Sequence, residues 1–165
     1  MRRIITGVNN AGRAVFTRDD ESPHALRVDE FEMGELWYSE HPAKIDGGLV
    51  DSASEQVGAV PAPGRALMRY VVFPPDANRK RKETVQPRVM SSDFVLEKDD
   101  PGMHTTETID YGFLLEGELI LELDDGAEVT MKAGDAYVQN GTRHAWRNRS
   151  DKNAVLGVVM IGAKR

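Results

Sequence analysis

The last third of the chain is a series of short segments that alternate apolar and polar residues and break at glycine turns. That pattern restricts the fold more than any other feature. Glu118–Leu123 places Leu119, Leu121 and Leu123 on one side of an extended strand. Asp124-Asp125-Gly126 then suits a three-residue hairpin loop, with Gly126 taking the positive φ that its last position requires. This loop sets Leu123 opposite Ala127, Leu121 opposite Val129 and Leu119 opposite Met131, so all six side chains share a face. A tighter Asp125-Gly126 loop would oppose Leu123 to Glu128 and spoil the pattern. Ala133-Gly134-Asp135 marks the next turn, Ala136–Gln139 a strand, and Asn140-Gly141-Thr142 another turn. His144–Asn148 and Ala154–Ile161 follow as two more strands. Strands this short and this closely spaced predict an all-β sandwich or barrel, whose closure hides the strand edges.

Upstream, Arg3–Val8 and Arg13–Thr17 flank Asn9-Asn10-Ala11-Gly12 and read as a β-hairpin arm. Glu35–Tyr38 is a short strand, and Arg65–Phe73 a longer one that Pro74-Pro75 stops. Asp46–Gly64 is rich in Gly, Ser, Ala and Pro without periodicity and reads as a mobile loop. Asp76–Arg88 reads as a second, charged loop around Arg79-Lys80-Arg81-Lys82. Ser91–Lys98 is either a strand or a helical turn. Residues 1–64 are thus expected as an arm and loop packed on a barrel of residues 65–165, one structural domain overall.

Charge narrows the partners. A formal net charge of −6 argues against nucleic acid and anionic membrane, and no apolar run is long enough to span a bilayer. The absence of cysteine excludes disulfides and thiolate ligands. Cytoplasm is the default compartment. Free sheet edges and an arm too small to stand alone predict a homodimer, with the arm paired to the partner's sheet.

Chemistry concentrates around two of the four histidines. The first lies in Pro101-Gly-Met-His104-Thr-Thr106-Glu-Thr-Ile-Asp110-Tyr-Gly-Phe-Leu-Leu-Glu-Gly117, the second in Gly134-Asp-Ala-Tyr137-Val-Gln139-Asn-Gly141-Thr-Arg-His144-Ala-Trp146-Arg-Asn148. These stretches resemble the two consensus motifs of the cupin superfamily, small RmlC-like jelly-roll barrels. The first family motif has two histidines at alternate positions, then an acidic residue, then a glycine. The second ends in glycine, histidine and asparagine at fixed spacing. His104, Asp110 and Gly117 match the first, and Gly141, His144 and Asn148 match the second. Thr106 stands at the second histidine position, Asp110 replaces the usual Glu, and Gln139 stands where proline is common. The resemblance implies a double-stranded β-helix and a site in the barrel mouth.

Strand parity agrees with that site. His104, Thr106, Thr108 and Asp110 fall on one face of a continuous strand, and His144, Trp146 and Asn148 fall on one face of another. His104, Asp110 and His144 would together offer two imidazoles and a carboxylate to a divalent metal, Fe, Zn, Mn or Ni, with no organic cofactor. Thr106, Tyr137, Gln139 and Trp146 would line the pocket for a small-molecule ligand. The alternative for Asp110 is a turn cap or a pair with Arg143 or Arg147, and for Tyr137 and Trp146 it is plain barrel core. His24 and His41 read as surface residues. The functional expectation is a metal-assisted lyase or isomerase that dehydrates, decarboxylates or tautomerises a small oxygenated metabolite. The rivals are a non-catalytic ligand-binding cupin and a non-haem Fe(II) dioxygenase.

Overall fold

The computed structural model describes residues 1–28, 31–40, 42–45, 47–48, 50–54, 59–78, 94–97, 100 and 102–165. Arg79–Lys82 and His41 lie outside them, as do parts of both expected loops. Thirteen strands are described: β1 Arg2–Val8, β2 Ala14–Glu21, β3 His24–Val28, β4 Phe31–Glu40, β5 Arg65–Phe73, β6 Phe94–Leu96 and β7 His104–Thr106. They continue as β8 Thr108–Glu116, β9 Glu118–Glu122, β10 Glu128–Lys132, β11 Ala136–Gln139, β12 Ala145–Arg147 and β13 Ala154–Gly162. The only helical pieces among the described residues are three 3-10 turns, at Ser52–Ser54, Asp76–Asn78 and Asp124–Gly126. No described helix is long and apolar enough to cross a membrane.

One antiparallel sheet runs β11-β8-β13-β5-β4-β3, and facing it is β10-β9-β12. The β6–β7 pair extends the second sheet, because His104 and His144 exchange both backbone hydrogen bonds, each N to the other's O at 2.9 Å. Core side chains from both sheets meet in one cluster: Phe73, Leu114 and Leu156 from the first, Leu119, Met131 and Trp146 from the second. This is the expected all-β jelly roll, a double-stranded β-helix. The large sheet reaches back to His24, however, well before the expected start at Arg65. β3 and β4 carry no turn signal that ties them to β5, so only the long-range pairing reveals their place.

The Asp124–Gly126 hairpin has the expected register, with Leu121 opposite Val129 and Leu119 opposite Met131, and Leu123 N donates to Ala127 O at 2.8 Å. Besides Gly126, Asp125 also adopts a positive φ of 58°. Only Leu119 and Met131 of the six paired side chains are buried, because the hairpin tip extends beyond the barrel. Gly117 turns β8 into β9 at φ 78°, where a Cβ would approach Asn153 O to 2.6 Å. Of Ser91–Lys98, the described part Phe94–Leu96 is strand.

The segment expected as a mobile loop is partly packed. Ala53, Ala59 and Val60 are buried, and Ala59 O accepts a hydrogen bond from Arg69. The β1–β2 arm forms as expected and is anchored on its own barrel by Arg3. This buried guanidinium bonds Asp20, Asp51 and Leu36 O.

Asn148, matched by motif, is a structural knot. Its Nδ2 donates to Phe73 O and Lys152 O, and its Oδ1 accepts from Ser150. Asn148→Ala would remove this donor from the buried Phe73 carbonyl, while Lys152 O keeps the Ser150 hydroxyl, so a loss of about 2 kcal/mol in urea-unfolding free energy is expected, with the denaturant slope unchanged.

Candidate functional site

The barrel interior divides into an apolar half and a polar half. Inward positions of β8 are Thr108, Asp110, Gly112 and Leu114, and those of β5 are Leu67, Arg69, Val71 and Phe73. The core cluster fills the end near Leu114 and Phe73. The other end gathers Thr106, Thr108, Asp110, Gln139 and His144, all buried.

His104 and His144 come together, with ring centroids 4.2 Å apart at an interplanar angle of 52°. Their positions are set by the mutual backbone bonds that close the second sheet. His104 Nδ1 lies 2.8 Å from Gly102 O; a carbonyl only accepts, so the proton sits on Nδ1 and Nε2 carries the lone pair. His144 Nδ1 lies 2.9 Å from Thr142 O and 2.8 Å from Gln139 Nε2. Donation to the carbonyl leaves Nε2 as the acceptor, whereas acceptance from the amide puts the proton on Nε2. Both tautomers are therefore served. Burial and the neighbouring His104 push the His144 pKa down to about 4, and burial also lowers that of His104. Both rings are neutral at physiological pH.

Asp110 keeps different company. Its Oδ1 is buried with no hydrogen-bond partner, and burial raises its pKa to about 6 against a hydrogen bond from Thr108 and the charge of Arg69. The Thr106 and Thr108 hydroxyls share a hydrogen bond of 2.9 Å, so Thr106, Thr108 and Asp110 form a short polar chain. Asp110 and Gln139 are Cα partners across β8 and β11, which puts the Gln139 amide between the carboxyl's strand and His144. The alternative partners are engaged elsewhere: Arg143 pairs with Glu97 and Asp124, and Arg147 with Asp100 and Glu122.

Among the described residues, no three His, Cys, Asp or Glu side chains gather closely enough to hold one metal ion. The structure brings the two imidazoles of the expected His104–Asp110–His144 set into contact, and Asp110 enters the same interior from β8. The imidazoles and the carboxyl come from different sheets. His104 is on β7, in the small sheet, while Asp110 is on β8, in the large one, and the strand breaks between them at Glu107.

Tyr137 and Trp146 pack edge to face at 5.0 Å, and Trp146 meets His144 edge to face at 6.0 Å. Trp146 belongs to the core cluster and also walls the imidazole pair. Tyr137 lies over Gly112, where a Cβ would approach its ring to 2.2 Å. Gly112→Ala is therefore expected to displace the phenol and lower stability by about 2 kcal/mol in thermal unfolding.

One feature of the polar half escaped the sequence reading. Arg69, buried inside the barrel, pairs with buried Glu35 at 2.8 Å. The signal was present: Arg69 occupies an inward position between Leu67 and Val71.

Residues 94–161 match the family model described as cupin domain, Cupin_2. This part of the chain matches a cupin domain. Several fungal proteins resemble this chain. Phomopsin biosynthesis cluster protein C' of Diaporthe leptostromiformis is 58% identical over 48 residues, which is 29% of this chain and 25% of that protein. Oryzines biosynthesis cluster protein J of Aspergillus oryzae is 38% identical over 53% of this chain and 37% of its own length. The chain thus spans between a quarter and two fifths of these relatives. The cupin-domain-containing oxidoreductase srdD of Neurospora crassa is 28% identical over 96% of this chain and 71% of that protein. Among solved structures, the Cupin 2 conserved barrel domain protein from Salinispora arenicola is similar over 84% of this chain and 82% of its own. The identity there is 19% and the TM-score 0.45.

Proposed function

We propose that this cupin is an enzyme acting on a small oxygenated metabolite, in which the Asp110 carboxyl moves a proton inside the barrel mouth. The observation that carries this reading is the buried Oδ1 without a partner on a carboxyl whose pKa is raised to about 6. Such a group both takes up and releases protons near neutrality, which is what an acid–base catalyst requires. Asp110 would remove a proton next to a substrate carbonyl and return it elsewhere, as dehydration, decarboxylation and tautomerisation all need. His104, with its lone pair on Nε2, accepts from a substrate hydroxyl. His144, in its Nε2–H tautomer, donates to the carbonyl oxygen as charge develops there. Trp146 and Tyr137 form the apolar wall, and Thr106 offers a hydroxyl. Relatives from biosynthesis clusters support a metabolite as substrate.

The test is solvent-deuterium incorporation beside the carbonyl, followed by NMR over a panel of hydroxyketones and β-keto acids, with oxygen uptake measured in parallel. Wild type is expected to catalyse exchange, and Asp110→Asn to slow it about 100-fold. Oxygen uptake without exchange would sink the lyase or isomerase reading and favour an oxidoreductase, the activity in the name of the Neurospora relative. Saturable ligand binding with neither activity would point to a binding module.

A second reading rests on the two imidazole nitrogens, which two positions of a divalent ion would accept, with water or substrate supplying the others. Metal titration decides it. Stoichiometric binding that His144→Ala abolishes supports a resident Fe, Zn, Mn or Ni, and no binding by wild type removes it.

A further inference from the structure

Val60 enters the barrel from a segment outside the strands. Ala59, Val60 and Pro61 are buried, and Val60 packs against Val158 and Met160, which with Leu156 take inward positions of β13. Two anchors fix the segment on either side of Val60. Arg69 Nη1 donates to Ala59 O at 2.7 Å, and Arg65 N donates to Ala62 O at 3.1 Å. Gly162 allows the close approach, since a Cβ there would lie 2.1 Å from Ala62 O. The buried Arg69–Glu35 pair therefore has a positional consequence: Glu35 holds the guanidinium that holds the Ala59 carbonyl.

This valine borders the carboxyl of the acid–base site. Met160 is the Cα partner of Asp110, and Tyr137 packs on the Val60 cluster. Burial and then the charge of Asp110 raise the pKa of that phenol, so Tyr137 and Asp110 share one environment. An apolar corner of Val60, Val158, Met160 and Tyr137 thus adjoins the polar group of Asp110, Thr106 and Gln139. Small-molecule pockets pair an apolar wall with a few polar anchors in this way. The charges say more. Asp110 and Glu35 share this interior with the one guanidinium of Arg69, whose two terminal nitrogens serve Glu35 and Ala59 O. Among the described residues of this half there is no surplus positive charge, and stripping water from a carboxylate or phosphate beside Asp110 is costly.

We propose that the site takes an uncharged hydroxycarbonyl compound and that Val60 determines how large an apolar substituent this compound carries. The inference rests on the acid–base reading above and adds the charge and size of the substrate to it. The hydroxyl of such a molecule donates to the unpartnered Asp110 Oδ1, and its apolar end lies against Val60, Met160 and Tyr137. Within the proposed chemistry this selects tautomerisation or dehydration over decarboxylation, whose substrate must carry a carboxylate.

Ligand-observed saturation-transfer NMR tests this with the whole chain as wild type, Val60→Ala and Val60→Leu. The probes are hydroxyacetone, its propyl homologue and phenacyl alcohol, beside pyruvate and acetoacetate. An unchanged far-UV circular dichroism spectrum verifies the fold, and affinities are read relative to hydroxyacetone, which cancels any general loosening. Wild type should bind hydroxyacetone ~10-fold more tightly than either keto acid. Val60→Ala should gain phenacyl alcohol ~10-fold, and Val60→Leu should lose the propyl homologue by a similar factor, because a methylene in an apolar pocket is worth about 10-fold or more. Keto acids bound as tightly as hydroxyacetone overturn the proposal. So do ratios unchanged in both variants, or no binding of any ketone by wild type. Deuterium exchange is read separately. The expected ratios without exchange remove the acid–base reading and leave a pocket sized by Val60, whereas exchange with unaltered ratios removes the role of Val60 alone.

Discussion

Arg69→Met should lower the unfolding free energy by about 4 kcal/mol, and adding Glu35→Leu should restore most of the loss. Arg69 Nη2 donates to Glu35 Oε1 at 2.8 Å, its Nη1 donates to Ala59 O at 2.7 Å, and both side chains are buried inside the barrel. Removing one member of such a pair strands the other charge in a low-dielectric interior, which costs about 3–5 kcal/mol. Removing both relieves the desolvation that the pair itself suffers, so an apolar replacement of similar volume is close to neutral. Urea titration of the two single variants and the double variant forms a closed cycle that measures the coupling. If Arg69→Met costs less than 1 kcal/mol, Glu35 is not ionised in the folded barrel and the pair is not an ion pair.

Substitutions at Asp110 and His144 should tilt the pH dependence of stability in opposite directions, each by about 3 kcal/mol between pH 4 and pH 6.5. Asp110 has a folded pKa of about 6, above the ordinary 3.8. The folded state therefore keeps a proton that the unfolded chain releases, and this group's contribution falls as pH rises from 4 to 6. His144 has a folded pKa of about 4, below the ordinary 6.5. The folded state must shed a proton that the unfolded chain retains, so its contribution rises over the same interval. In wild type the two largely offset one another. Asp110→Asn removes the falling part and should steepen the rise, and His144→Gln removes the rising part and should flatten or reverse it. The comparison is of variant against wild type in chelator, because paired surface carboxylates such as Asp19 and Glu97 add a common slope at lower pH. Parallel curves for all three proteins would show that neither group is shifted.

What the sequence made legible is what short-range geometry determines. The Asp124–Gly126 loop and its register follow from matching leucines across three residues, and β5 and β11 have the predicted limits. His104 and His144 meet as the motifs imply. That Asp110 comes from the other sheet was not legible, because parity assigns a face and says nothing of a chain that changes sheets at Glu107. The pairing of Arg69 with Glu35 was hidden too, although the inward parity of Arg69 is local. Each looks like an ordinary polar residue in a strand until β4 is set beside β5, a pairing between segments some thirty residues apart that no local pattern encodes.

The exchange of backbone hydrogen bonds between His104 and His144 also separates architecture from chemistry. Main-chain atoms make the bridge, so it persists whichever side chains are attached, and two side chains are always presented next to one another at the same point of the cavity. Those two positions act as an interchangeable socket. Lineages or designers that re-letter residues 104 and 144 change the reagents on offer without refolding the vessel.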